Sequence, residues 1–361
     1  MGKTIGVLTG GGDCPGLNAV IRAVVKTAVN KYGLDVLGCR DGYYGLVSDK
    51  FFRLRWDDVS GILSRGGTIL GASNTHDPFR WAEKSGGKIV HRDHSGKAAA
   101  SYRRNKLSAL VIIGGDGTMA SAGRLSKLGF NIIGVPKTID NDLPGTDRTF
   151  GFDTAVQAAS EAIDRFRDTA QSHHRVMIVE VMGRYAGWLA LNSGVSGGAD
   201  VILIPEIPYD LGKVCNSLLS RSRRGKRFSI VVVAEGAASR GGKMVVARTE
   251  AASPDPVRLG GVAQLLARQV AEGTDMDTRV TVLGHLQRGG SPLASDRVLC
   301  TRFGAKAAEL AAAGIFGRMV ALRGGDLISV PLKQVAGKLR TVPADHPLIA
   351  AARAIGTCFG D

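Results

Sequence analysis

Asn131-Ile132-Ile133-Gly134-Val135-Pro136-Lys137-Thr138-Ile139-Asp140-Asn141-Asp142 is an apolar run that breaks into a loop bearing one lysine and two carboxylates. The β-branched residues Ile132, Ile133 and Val135 predict a strand, and the proline that follows them ends it. The charged residues therefore stand at a strand's carboxyl end, which is where a doubly wound sheet binds its ligands. Upstream, Leu107 to Ile113 is a second such run, and it ends in Gly114-Gly115-Asp116-Gly117-Thr118. Three positions there lack a Cβ, so the backbone can approach a phosphate closely. Two carboxylate-bearing loops at neighbouring strand ends imply magnesium-assisted phosphoryl transfer.

The same unit recurs outward from this stretch. Short runs at Thr4 to Thr9, Val36 to Gly38, Arg175 to Val181, Val201 to Pro205, Ser229 to Ala234 and Arg279 to Leu283 read as strands. They alternate with segments of helical period, the pattern of parallel strands and crossover helices. Leu17, Val20, Ile21, Val24, Val25, Ala28 and Val29 predict an amphipathic helix over Pro15 to Asn30, with Pro15 near its first turn. Further helices are expected from Thr118 to Leu128, Thr154 to Ala170, Leu259 to Glu272 and Ser295 to Ala313. The segment Ser85 to Asn105, rich in Gly, Ser, Lys, Arg and His, reads as an exposed and mobile excursion.

With 361 residues the chain is too long for one ordinary core and is expected to form about two domains. No apolar run approaches the roughly 20 residues of a membrane span. Met1-Gly2-Lys3 leads directly into a strand pattern without a signal peptide, and Gly6 stands where a myristoylation motif wants Ser or Thr. The five cysteines are scattered and show no CxxC spacing, which argues for reduced thiols, no zinc site and a cytoplasmic address. A formal net charge of +15 attracts anions. Low aromatic content and the absence of nucleic-acid-binding signatures favour phosphorylated metabolites over nucleic acid. The run Arg221 to Arg227 reads as a solvated helix end and turn.

A third loop, Thr9-Gly10-Gly11-Gly12-Asp13-Cys14-Pro15-Gly16, lies between a strand and a helix and suits an anion at the helix N-terminus. It is not a Walker motif, since GxxxxGK[ST] is absent. Asp116 either holds magnesium on nucleotide phosphates or caps the helix beginning at Thr118. Asp140 and Asp142 project to one side of an extended loop, where one would act as base for an acceptor hydroxyl and the other would sit by magnesium. At other strand ends stand Met182-Gly183-Arg184, Ala234-Glu235-Gly236 and Gly284-His285-Leu286-Gln287-Arg288. Arginine forks and a histidine suit a sugar phosphate, and Glu235 suits sugar hydroxyls.

Taken together, GGGDCPGLN, RGGT at Arg65 to Thr68, GGDGT, PKTIDND, EVMGR at Glu180 to Arg184 and GHLQRGGSP resemble the 6-phosphofructokinase family, in the family's order across residues 5 to 292. The resemblance implies an α/β fold of two doubly wound domains with mostly parallel sheets and the active site in the cleft between them. The donor domain would comprise 1–150 plus about 286–335, and the sugar-phosphate domain 151–285 plus about 336–361. It further implies ATP as phosphoryl donor, Mg2+ as cofactor and the 1-hydroxyl of fructose 6-phosphate as acceptor. By the same resemblance Asp140 is the base, Thr138 and Arg184 assist, and Asp116 with Asp142 serves the magnesium. Gly12, Arg80, Gly115, Asp116, Gly117, Thr118 and Lys137 match donor-side positions. For the sugar phosphate, Thr138, Asp140, Met182, Gly183, Arg184, Glu235, His285 and Arg288 match binding positions. Arg175 and Arg279 match arginines that reach into a neighbouring subunit's site, implying a homotetramer or a homodimer with shared sites.

Two residues bear on the donor and disagree. Pyrophosphate-using relatives carry a second Asp where Gly117 stands, in space that an ATP α-phosphate needs, so Gly117 favours ATP. Lys137 resembles the lysine of pyrophosphate users. Excluded volume acts directly, so ATP is the expected donor and pyrophosphate the alternative. A non-catalytic sugar-phosphate-binding subunit is a remoter alternative, opposed by the intact Asp140 and Asp142. Arg22, Lys26 and Arg167 resemble members of the basic effector pocket of regulated bacterial relatives, without fixing an effector.

Overall fold

The structure, a computed structural model, describes residues 3–250, 253 and 256–361. Met1 and Gly2, on which the expectation about a leader and myristoylation rests, lie outside the described residues. Along the chain, β1 (Thr4–Thr9), α1 (Leu17–Tyr32), β2 (Asp35–Cys39), α2 (Tyr43–Val47) and β3 (Phe51–Arg53) come first. The hairpin β4 (Trp81–Ser85) and β5 (Lys88–Arg92) follows, then α3 (Ser95–Arg104), β6 (Leu107–Gly114), α4 (Asp116–Lys127) and β7 (Ile132–Pro136). A second set begins with α5 (Phe152–His173), β8 (Val176–Val181), α6 (Trp188–Ser196), β9 (Val201–Leu203), α7 (Leu211–Arg223) and β10 (Ser229–Ala234). It continues through β11 (Val246–Thr249), β12 (Val257–Leu259), α8 (Val262–Thr274) and β13 (Thr278–Val282). The chain closes with α9 (Ala294–Ala312), β14 (Arg318–Arg323), β15 (Asp326–Pro331) and α10 (Pro347–Ala354).

Seven strands form the larger sheet in the order β15-β14-β7-β6-β1-β2-β3, parallel except at its two edges, where β15 and β3 run antiparallel. Alternate residues of its central strands feed two cores, as the two-residue side-chain period requires. Ile5, Val7, Val111, Ile113, Ile133 and Val135 face one, and Leu8, Leu110, Ile112 and Ile132 face the other. Burial on both faces explains why these strands read as continuous apolar runs. The smaller sheet, β13-β8-β10-β9, is wholly parallel. The fold is thus α/β with mostly parallel sheets in two sets.

Register levels the loops. Thr9 pairs with Ile113 and Ile113 with Val135, so the loops after β1, β6 and β7 leave the larger sheet side by side. In the smaller sheet Val181 pairs with Ala234 and Val282 with Glu180, which brings the loops after β8, β10 and β13 together in the same way. Helix α9 joins the parts. Gly304 lets it approach α1 so closely that an added Cβ would lie 2.6 Å from that of Ala23. In its first turn the fully buried Asp296 accepts hydrogen bonds from Gly151 N and Thr154 N, both at 2.9 Å, and from Thr154 Oγ1 at 2.6 Å. These cap α5 from another helix.

Two expectations need correction. Ser85 to Asn105 is mostly exposed, as expected, but is built of regular elements: Gly86 and Gly87, both at positive φ, turn β4 into β5, and α3 buries Ala98 and Ser101. Trp81 stacks on His94 at 5.3 Å. The charged residues coat the outer faces of thin elements, which hid them. The helix expected from Leu259 starts at Val262, because residues 257–259 pair as a strand and the Glu180 carboxylate accepts a bond from Ala263 N at 3.0 Å. Among the described residues no helix is long and apolar enough to cross a membrane, and no cysteine is paired.

Candidate active site

The loop after β1 is set by close approach. Thr118 lies beneath it, so that a Cβ on Gly10 would come within 2.7 Å of Thr118 Cγ2, and one on Gly114 within 2.3 Å. The Tyr43 hydroxyl fixes that turn by donating to Thr118 O at 2.7 Å. Helix α4 begins at Asp116, with Gly115 as its cap and no side-chain capping bond. Asp116 is therefore not the cap; it presents its carboxylate from the first turn, beside the helix's positive end. An added Cβ on Gly117 would meet nothing within 4 Å.

From the same side comes the loop after β7. Lys137 is 4% exposed and donates from Nζ to Gly12 O, so this buried ammonium underpins the glycine loop, and burial pulls its pKa down. Thr138 Oγ1 accepts from Asp140 N at 3.1 Å, while Thr149 Oγ1 donates to Thr138 O at 2.7 Å. Asn141 adopts φ 51°, tolerable for asparagine, and its side chain accepts from Thr149 N at 3.0 Å. The loop is thereby folded onto itself with both aspartates fixed. Asp142 is buried and Asp140 half-buried, and the Oδ1 of each is shut off from solvent with no hydrogen-bond partner. Burial raises the pKa of Asp140, with Asp116 adding to the rise and Arg288, Lys137 and Arg184 opposing it. Burial, then the charges of Asp140 and Asp116, push Asp142 well above the ordinary aspartate value.

The smaller sheet faces these carboxylates. Gly183 sits at φ 136°, and a Cβ on Gly236 would fall 1.8 Å from Arg184 O, so both loops need glycine where they cross. Met182 N donates to Gln287 Oε1 at 3.3 Å, and Arg184 donates to Val257 O. Glu235 is half-buried, and burial followed by the charge of Asp140 pushes its carboxyl up to about 7 against the pull of Arg184 and Arg288. Arg288 reaches over to donate to Asp13 O at 3.1 Å and lies 3.1 Å from where a Cβ on Gly12 would stand. His285 is exposed on the same short turn, Gly284–Arg288.

A cleft of about 410 Å³ collects Gly12, Gly115, Asp116, Gly117, Thr118, Lys137, Thr138, Asp140 and Arg288 of the expected residues. Arg184 lines a neighbouring cavity of about 730 Å³ with Tyr185, Glu206 and Met244. Arg80 is placed elsewhere, exposed on the turn whose N–H bonds Asp77 O, outside the cleft lining. Arg175 and Arg279 are also apart. They stand at the opposite, amino-terminal ends of β8 and β13, both paired to Asp277, roughly 17–20 Å of strand away. Sequence reasoning missed Tyr43, Ser73, Asn74, His76, Asp77 and Arg124 in the cleft. One signal was present: Gly117, Ala120, Ser121 and Arg124 follow i, i+3, i+4, i+7 spacing, a small-residue helix face turned to the cleft.

A sequence profile described as Phosphofructokinase matches residues 4–311. The chain is 52% identical over 362 residues to "ATP-dependent 6-phosphofructokinase 2" of Clostridium perfringens, covering 99% of each chain. It is 51% identical over 363 residues to "ATP-dependent 6-phosphofructokinase" of Spirochaeta thermophila, covering 99% of this chain and 98% of the other. Among solved structures it is similar to phosphofructokinase from Saccharomyces cerevisiae, with 32% identity and a TM-score of 0.76 over 92% of this chain, which spans 45% of the yeast chain. By sequence profile, full-length relatives and fold, the chain belongs to the phosphofructokinase family.

Proposed function

We propose that the protein is an ATP-dependent 6-phosphofructokinase, which transfers the γ-phosphoryl group of ATP to the 1-hydroxyl of fructose 6-phosphate and yields fructose 1,6-bisphosphate. The observation that carries this reading is Asp140. It is a half-buried carboxylate with one oxygen shielded from solvent and unpartnered, facing Asp116 and Lys137 on one side and Arg184, Glu235 and Arg288 on the other. Asp140 takes the proton from the acceptor hydroxyl as that oxygen bonds to phosphorus and the bond to the β-phosphate breaks. Its raised pKa suits the task, since burial makes it a stronger proton acceptor than a surface aspartate. Thr138 holds the Asp140 amide, Arg288 and the backbone of the glycine loop offer donors to the transferring group, and Arg184 with Glu235 and His285 is assigned to the sugar phosphate.

Asp116 and Asp142 are the residues assigned to Mg2+. The unpartnered buried oxygen of Asp142 fits a hard cation, and among the described residues no cluster of three carboxylate, imidazole or thiol groups stands ready to hold one alone. That matches an ion that takes one or two carboxylates and completes its shell with phosphate oxygens and water. When bound, Mg2+ neutralises charge on the transferring phosphates.

Arg175 and Arg279, remote from this chain's own cleft, are assigned to a neighbouring subunit's site in a cytoplasmic homotetramer or homodimer. Pyrophosphate remains the rival donor because of Lys137, but the open space at Gly117 favours ATP. A coupled assay offering ATP and pyrophosphate separately with fructose 6-phosphate tests the reading. Turnover with ATP is expected. Turnover with pyrophosphate alone overturns the donor, and turnover with neither overturns the activity.

A further inference from the structure

Three residues near the carboxyl terminus, Arg340 to Val342, touch the loops of both sheets. The Arg340 amide donates to Asp142 O at 2.7 Å, and its guanidinium donates to Thr146 O at 2.7 Å and Asp147 O at 2.8 Å. All three acceptors belong to the loop that carries Asp140 and Asp142. On its other side, Arg340 O accepts from Trp188 Nε1 at 2.9 Å, and the guanidinium lies 4.5 Å over the Trp188 ring. Trp188 is four residues past Arg184. Val342 N donates to Glu206 Oε1 at 2.8 Å, and the same carboxylate accepts from Gly187 N at 2.9 Å. Arg340 does not line the cleft.

We propose that Arg340 is a positioning residue, fixing the Asp140–Asp142 loop of the larger sheet against the Arg184 loop of the smaller one. The proposal rests on the phosphofructokinase reading above. In that reaction the donor is held mainly by one sheet and the acceptor mainly by the other. The rate depends on how the two are aligned, and a displacement of about 1 Å can cost on the order of 10²-fold. Most other bonds of the catalytic loop, such as Thr149 to Thr138 and to Asn141, close the loop on itself and cannot set it against the second sheet. The strap of Arg340 to Val342 does so, with carbonyls of one loop at one side and Trp188 and Glu206 at the other.

The test uses the full-length protein with saturating series of ATP and fructose 6-phosphate. Arg340→Met keeps a long side chain over Trp188 and removes the guanidinium bonds. It should lower kcat by about 10- to 100-fold while both KM values stay within about threefold. Arg340→Lys should recover part of the loss. Glu206→Gln weakens the opposite anchor, and its loss in kcat should combine less than additively with that of Arg340→Met. A folded Arg340→Met variant with wild-type kcat overturns the proposal, as does a loss confined to KM or full additivity with Glu206→Gln. If thermal unfolding shows that Arg340→Met does not fold, Arg340→Lys decides: lowered kcat with unchanged KM supports the proposal, and wild-type kcat overturns it. A wild type inactive with fructose 6-phosphate would instead fail the functional reading itself.

Discussion

The loop after β7 and the arginine-bearing edge of β8 and β13 handle charge in opposite ways. Asp140 and Asp142 each hold one oxygen away from solvent and unpartnered, whereas the half-buried Arg175 and the exposed Arg279 are already joined to Asp277. Burying an unpaired charge is costly, and that cost raises the pKa of both aspartates. Arginines that reach water are screened by it and by salt, and exchanging one anion for another costs them little. On the proposed function, the first region serves the chemistry and the second the capture of a phosphate.

The largest expected effect breaks the first half of this contrast. Asp140→Asn preserves size and removes the base, so kcat should fall by roughly 10² to 10⁴-fold with little change in fructose 6-phosphate binding. The acid limb of the wild-type pH–rate profile should lie above the ordinary aspartate value of 3.8, because burial raises this carboxyl and it must be ionised to accept a proton. Wild-type turnover in the variant would remove Asp140 from the reaction.

Gly117→Asp sharpens the donor side by placing a charged side chain into space that is now open. Its ATP-dependent kcat/KM should drop at least about tenfold, roughly 1.4 kcal/mol, while any pyrophosphate activity survives. Unchanged ATP kinetics would show that this position does not gate the donor.

The capture side is probed by mixing. Arg279→Ala and Asp140→Asn proteins, each inactive, should regain a fraction of wild-type activity after dissociation and reassembly, since some hybrid sites inherit every intact group. No recovery despite demonstrated hybrids would place all groups of a site in one chain.

A smaller effect follows from Glu235, whose carboxyl is pushed up to about 7 in the folded protein from an ordinary 4.5, by burial first and the charge of Asp140 second. The folded state then binds the proton more tightly than the unfolded chain, so this residue's contribution to stability declines as pH rises from about 4.5 through 7. Glu235→Gln should raise the unfolding temperature at pH 8 by roughly 2–4 °C and change it little near pH 4.5. Equal shifts at both values would show that Glu235 does not titrate in this range.

The central strands and their loops were legible because burial on both faces writes an unbroken apolar run and the loops break it with glycine and charge. Thr9 and Val135 could be placed at strand ends from such runs alone. What escaped depends on partners distant in sequence. β14 and β15 join the larger sheet only because β7 offers an open edge, and β4 with β5 reads as a polar tract until Trp81 meets His94. In the candidate site, glycines forced by Thr118 were visible as a motif, but their cause was not. Arg124 is marked only by the spacing of its helix face, His76 carries no local signal, and Arg340 acts through backbone carbonyls that sequence does not display.

Asp296 has a consequence for the order in which the protein can be made. Gly151 and Thr154 wait for a carboxylate 145 and 142 positions further along the chain. At translation rates of about 5–20 residues per second, the amino end of α5 stays uncapped for roughly 7–29 s after it is synthesised. Strand β14 of the larger sheet emerges later still. The larger sheet is not complete before the last fifth of the chain, so the nascent protein must carry that sheet's apolar strands unfinished until nearly the end of synthesis.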